Sequence, residues 1–102
     1  MEKQNSQYAV IFTSLRTEGD NGYGEMAEKM ETMARQQPGF LDLESARDSL
    51  GITISYWDSL AAIAQWKANL EHLEAQREGV RQWYSWYKVR VCKVEREYEF
   101  NR

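Results

Sequence analysis

Apolar residues alternate with polar ones near both ends of the chain, and between those stretches the rhythm changes. Tyr8 to Leu15, YAVIFTSL, is dense in β-branched and aromatic side chains and predicts a strand. The polar run RTEGDNGYGE, with three glycines, ends it. From Tyr23 onward, Tyr23, Met26, Ala27, Met30, Met33 and Ala34 share one face of a helix, while Glu25, Glu28, Lys29, Glu31 and Arg35 take the other. Pro38-Gly39 stops that helix, because proline cannot continue it and glycine tolerates the turn.

Alternation then returns. Leu41 and Leu43 alternate with Asp42 and Glu44, and Ile52, Ile54 and Tyr56 with Thr53 and Ser55. Both read as half-buried strands, joined in a hairpin around Asp48-Ser49-Leu50-Gly51. Asp58 or Ser59 can cap a second helix that starts at Leu60 and runs through Ile63 and Ala64, with Gly79 interrupting or ending the helical region. In the last strand Tyr87, Val89 and Val91 point one way and Lys88 and Arg90 the other, before a charged KVEREYEF tail. The order strand, helix, strand, strand, helix, strand is the split βαβ, ferredoxin-like plan of an α+β protein: an antiparallel sheet covered on one face by two helices.

A sheet covered on one side leaves its other face in need of company. That face carries one alternating set, Ile11 with Ile52/Ile54 or Val89/Val91, and the register decides which. Thirteen percent of the chain is aromatic, a large apolar surface for 102 residues. Both features predict a homodimer paired through the open sheet face, with the C-terminal CKVEREYEF reaching across to the partner.

The length predicts a single domain over 1–102. A formal net charge of −3, mixed in sign along the chain, speaks against a nucleic-acid or membrane-surface partner. No apolar run is long enough to span a membrane, and the N-terminus is polar. The lone Cys92 cannot form an internal disulfide, and the expected setting is the reducing cytoplasm.

One histidine and one cysteine cannot build a zinc or two-His iron site within one chain. GDNGYG lacks the lysine and the strand-turn-helix context of a phosphate loop. Cys92 sits mid-strand, where a small buried or half-buried side chain is the plain reading. The segment IAQWKANLEHLEAQREGVRQWYSWY is what remains. On a continuous helix Asn69, His72 and Gln76 form a narrow polar stripe flanked by Trp66 and Leu73. An indole beside an imidazole and amides suits a pocket for a flat aromatic molecule. The alternative is that Trp66 and Leu73 pack on the sheet and His72 is solvated. In RQWYSWY, alternation sets Tyr84 and Trp86 against Trp83, Ser85 and Tyr87, one set for the core and the other for a pocket or a subunit contact.

The stretch SYWDSLAAIAQWKANLEHLEAQREGVRQWYSWYKVRVCKVEREY, together with Pro38-Gly39-Phe40, resembles the antibiotic biosynthesis monooxygenase family of small bacterial proteins. The resemblance covers most of the chain from Tyr8 onward and implies a ferredoxin-like protomer that pairs into a dimeric α+β barrel. It also implies a monooxygenase that oxidises a phenolic aromatic with dioxygen and needs no cofactor. Trp66 and His72 occupy places matching the family's catalytic pair, with Asn69 and Arg81 as substitutes for its Asn and Arg. Gln76, Trp83 and Tyr56 complete the expected substrate-binding set. The alternatives are a small-molecule-binding dimer without turnover, or a haem-binding or haem-degrading protein with His72 as axial ligand. The first strand lacks the Asn that haem degradation uses in that family.

Overall fold

The computed structural model describes residues 7–20, 22–73 and 82–102, the side chains of 71–73 excepted. Its elements come in the predicted order: β1 (Gln7–Arg16), α1 (Tyr23–Arg35), β2 (Phe40–Arg47), β3 (Leu50–Trp57), α2 (Leu60–Leu73) and β4 (Tyr84–Val94). The strands pair antiparallel in the order β2-β3-β1-β4, which is the ferredoxin-like α+β arrangement.

Each helix has a start the sequence explains. The Asp20 carboxylate accepts from the backbone N–H of Gly22 at 3.1 Å and of Gly24 at 3.0 Å, while Gly22 takes φ +84° to turn the chain into α1. Met26, Ala27, Met30 and Met33 are half-buried and Ala34 is buried, so the predicted apolar face is the packed one. Ser59, rather than Asp58, caps α2, accepting from the Ala62 N–H at 3.0 Å. Between α1 and β2 the chain passes through Gly39 at φ +86°, where an added Cβ would lie 2.6 Å from both the Ala62 Cβ and Asp58 Oδ1. Only glycine fits that turn.

Trp57, at the end of β3, is fully buried and sets which sheet face meets the helices. It packs against Ala62 and Ile63 of α2, with Tyr8, Val10, Phe40 and Trp66 around it. Alternation from Trp57 places Ser55, Thr53 and Gly51 on the same side, and the register adds Tyr8, Val10, Phe12 and Ser14 of β1 and Tyr87, Val89 and Val91 of β4. The opposite, open face therefore carries Ile11, Ile52 and Ile54 together with Leu15, Leu50 and Trp86. Of the two candidate sets for that face, register selects the isoleucines, and the β4 valines face the helix side.

Two bulges depart from simple alternation. In β2, Phe40 pairs with Trp57 and Asp42 with Tyr56, so Leu41 is an extra residue and stays 48% exposed while Phe40 and Leu43 take the helix side. In β4, Leu15 pairs with Trp86 but Arg16 pairs with Tyr84, which makes Ser85 the extra residue. Tyr84 therefore joins Tyr87 on the helix side and Trp86 turns to the open face, contrary to the pairing of Tyr84 with Trp86 that alternation predicts. The hairpin turn is Asp48-Ser49 alone, and Leu50 and Gly51 belong to β3. Cys92 is exposed, because its β4 position lies on the uncovered face of an edge strand.

Candidate functional site

The helix side of the sheet has two unlike ends. At the first, Trp57 stacks on Trp66 with ring centroids 6.1 Å apart and planes inclined by 27°, and Phe40 meets Trp57 edge-on at 5.5 Å. The Trp57 indole N–H donates to Ser55 Oγ at 2.9 Å, so the one polar atom of this buried ring is satisfied within its own strand. Beside it the Asn69 amide on α2 donates to Gln37 Oε1 at 2.8 Å, and Gln37 in turn donates to the Met33 carbonyl, tying α2 to the end of α1.

At the second end, where β1 finishes and β4 begins, the rings are phenols. Phe12 contacts Tyr84 at 5.4 Å and Tyr87 at 5.3 Å, and Tyr23 of α1 meets Tyr84 at 5.7 Å and Trp83 at 6.1 Å. Burial pushes the Tyr84 hydroxyl well above the usual 10.0, and a hydrogen bond with Tyr23 adds to the rise, against the opposing charges of Arg47 and Arg16. Arg16 lies over the Tyr23 ring at 3.6 Å and donates to the carbonyls of Trp83 at 2.9 Å and Gly19 at 3.0 Å. Arg47 donates to Ser14 Oγ at 2.5 Å.

Between the ends, β3 presents only Gly51, Thr53 and Ser55 to the helices. Six steps along the strand, about 20 Å at ~3.3 Å per step, separate Gly51 from Trp57, and the residues between them on that side are no larger than threonine. α2 leaves from the Trp57 end, and the chain returns to the sheet at Tyr84, at the other end.

A family model described as antibiotic biosynthesis monooxygenase matches residues 7–78, the stretch that builds most of this two-ended face. The chain belongs to that family. It is similar to a Bacillus subtilis (strain 168) protein, the uncharacterized protein YqjZ, at 53% identity over 92 residues, 88% of this chain and 81% of that one. Among solved structures, a putative antibiotic biosynthesis monooxygenase from Nitrosomonas europaea matches with a TM-score of 0.70 at 12% identity, over 93% of this chain and 95% of that one. SnoaB, a cofactor-independent oxygenase from Streptomyces nogalater, matches with a TM-score of 0.69 at 14% identity, over 91% and 96%. At such identities these two structures speak for the fold.

The residues expected to form the site of this family member are divided between several places. Trp66 is on α2, half-buried against Trp57, and Asn69 is one turn further along. His72 lies in the last turn of α2, but its side chain is outside the described residues, as are Gln76 and Arg81 altogether. Trp83 is buried beside Tyr23 at the phenol end. Tyr56 does not join them: alternation from Trp57 turns it to the open face, where its hydroxyl donates to Glu44 Oε1 at 2.8 Å. That bond to Glu44, first, and partial burial, second, raise its pKa. Tyr23, Tyr84, Arg16, Arg47 and Ser14 are not legible as a group in the sequence, since they come from four separate elements and a bulge brings Tyr84 in. Among the described residues, no group of three or more His, Cys, Asp or Glu is placed to hold a metal ion, and no helix is long and apolar enough to cross a membrane.

Proposed function

We propose that this protein is a cofactor-independent monooxygenase that oxidises an electron-rich, phenolic aromatic with dioxygen on the helix side of its sheet. The observation that carries the reading is the cluster of Tyr84, Tyr23, Arg16 and Arg47 at the far end of a lane of small β3 residues from the Trp57–Trp66 stack. Membership of the monooxygenase family and the fold shared with a cofactor-independent oxygenase support it.

In this scheme Trp66, held by its stack on Trp57, offers a flat face to the substrate ring. His72 is the general base, since an unperturbed imidazole exchanges protons near neutral pH. Asn69 and Trp83 are the described members of the expected substrate-binding set on this side of the sheet. Loss of a ring C–H proton leaves an electron-rich anion, and the nearby positive charges of Arg16 and Arg47 favour it. One electron passes to dioxygen, the radicals join in a C–O bond, and the hydroperoxide loses water. A ring CH2 plus O2 becomes C=O plus H2O, so the substrate itself supplies the electrons and no external reductant enters.

The working unit of this proposal is a two-fold dimer. Leu15, Leu50, Ile52 and Trp86 stand exposed on the open face, and beyond Val94 the chain runs out with Tyr98 85% and Phe100 79% in solvent. Apolar area of that kind is what a second copy covers, in an interface on the order of 2,000 Å². Light scattering at micromolar concentration should give the mass of two chains, and a stable monomer would count against it.

The activity is tested by oxygen uptake across a panel of anthrone-like and quinol-like compounds. At least one should be oxidised faster by the native protein than by the Trp66→Ala/His72→Ala double variant. Equal rates across the panel would remove the proposal.

A further inference from the structure

Arg47 is the last residue of the edge strand β2, next to a two-residue turn, where a long cation ordinarily extends into water. Here the residue stays exposed, but its guanidinium reaches back across the sheet. Its guanidinium crosses β3 over Gly51 and donates to Ser14 Oγ on the central strand, at 2.5 Å, and Ser14 is 1% exposed. A Cβ on Gly51 would overlap the Nε, Cζ and Nη2 atoms of Arg47. Gly51 is not among the glycines at positive φ, so its backbone does not require glycine. Glycine leaves the room that Arg47 takes, and a methyl there would push the flexible end of the arginine aside.

Among the described residues Arg47 forms no ion pair, and its bond to Ser14 occupies one of five guanidinium N–H donors. Arg16, the nearby second cation, spends its donors on backbone carbonyls. Among the described residues, the phenol end of the lane thus holds two positive charges with no carboxylate paired to either. A guanidinium held over a glycine gap by a buried hydroxyl, with its other N–H donors unpaired among the described residues and aromatic rings alongside, has the form of an anion-recognition site.

We propose that Arg47, seated over Gly51 and anchored on Ser14, is the specificity-determining residue of this site and binds a carboxylate on an aromatic ligand. The proposal shares with the monooxygenase reading the placement of the ligand along the helix side of the sheet, but it does not depend on turnover. The aromatic body rests against Phe12, Tyr84 and Tyr87, and the acid group takes the free donors of Arg47. Ser14 and Gly51 are positioning residues, acting through Arg47.

The test is a fluorescence titration of the full-length protein with 9-anthracenecarboxylate and, in parallel, its neutral isostere 9-anthracenecarboxamide. The native protein should bind the carboxylate more tightly, on the order of tenfold, as expected for one charge-assisted fork. Arg47→Gln should abolish the preference for the carboxylate over the carboxamide. Gly51→Ala keeps every charge but displaces the guanidinium, and it should erode the preference in the same direction. Circular dichroism confirms that each variant is folded. Equal binding of the two probes by the native protein, binding of neither, or a preference that survives Arg47→Gln overturns the proposal. Because the readout is binding, absence of oxygen uptake would defeat the monooxygenase reading and leave this one standing.

Discussion

The two ends of the helix-covered face use aromatic residues for opposite purposes. At the Trp57 end a fully buried indole stacks on Trp66, and its own N–H is bonded inside the same strand. At the Tyr84 end three tyrosines, Tyr23, Tyr84 and Tyr87, bring hydroxyls among the rings, and two guanidinium groups stand there without a carboxylate partner among the described residues. The first end holds helix to sheet, and the second keeps donor capacity in reserve. Aromatic density alone does not locate a site; what matters is whether the polar atoms around the rings are already used.

The largest effect should come from removing the structural end. Trp57→Ala empties the most buried ring of the molecule and should cost about 3–5 kcal/mol of folding stability, read as a lowered urea midpoint. A loss under about 1 kcal/mol would mean that the indole end is not the core. Gly39→Ala should come next: the positive φ and the approach of Ala62 and Asp58 leave no room for a methyl, for a loss of about 1–3 kcal/mol by the same measurement.

The Tyr84 end should respond to pH instead. Its hydroxyl is harder to ionise in the folded chain than in the unfolded one, where the ordinary 10.0 applies. The unfolded state therefore gives up a proton first as pH rises, so the stability linked to this group is intact below pH 10 and is lost progressively above it. Urea midpoints between pH 9 and pH 11.5 should fall more steeply for the native chain than for Tyr84→Phe, and parallel curves would show that no buried phenol titrates there. The smallest effect belongs to the exposed Arg35–Glu31 pair on α1, at 3.0 Å. Breaking it with Glu31→Gln should change stability by no more than about 0.5 kcal/mol.

Much of this architecture is legible in the chain. The period of α1, read from Tyr23, Met26, Met30 and Ala34, matches the packed face, and alternation around Ile52 and Val89 marks two strands correctly. Alternation fails where a bulge adds a residue. Leu41 and Ser85 each put their neighbours out of step, and a bulge is a property of two paired strands that one strand's pattern does not display. The site is less legible for a related reason. Gly51 looks like a turn glycine from its neighbours Asp48 and Ser49, and its actual role depends on Arg47 crossing toward Ser14, 33 positions away in sequence. Trp66 and Asn69 stand out because they share one helix, whereas Tyr84, Tyr23 and Arg47 meet only after the sheet has formed.

The central claim is that an aromatic substrate is oxidised directly by dioxygen on the helix side of the sheet. Its most direct test is turnover under isotopically labelled dioxygen, with product mass read for the native protein and for Trp66→Ala, in flavin-free, chelator-treated buffer. Direct oxygenation predicts one labelled oxygen atom per product molecule from the native protein and a markedly slower reaction from the variant. Product oxygen that comes from water, or a rate unchanged by Trp66→Ala, would contradict it.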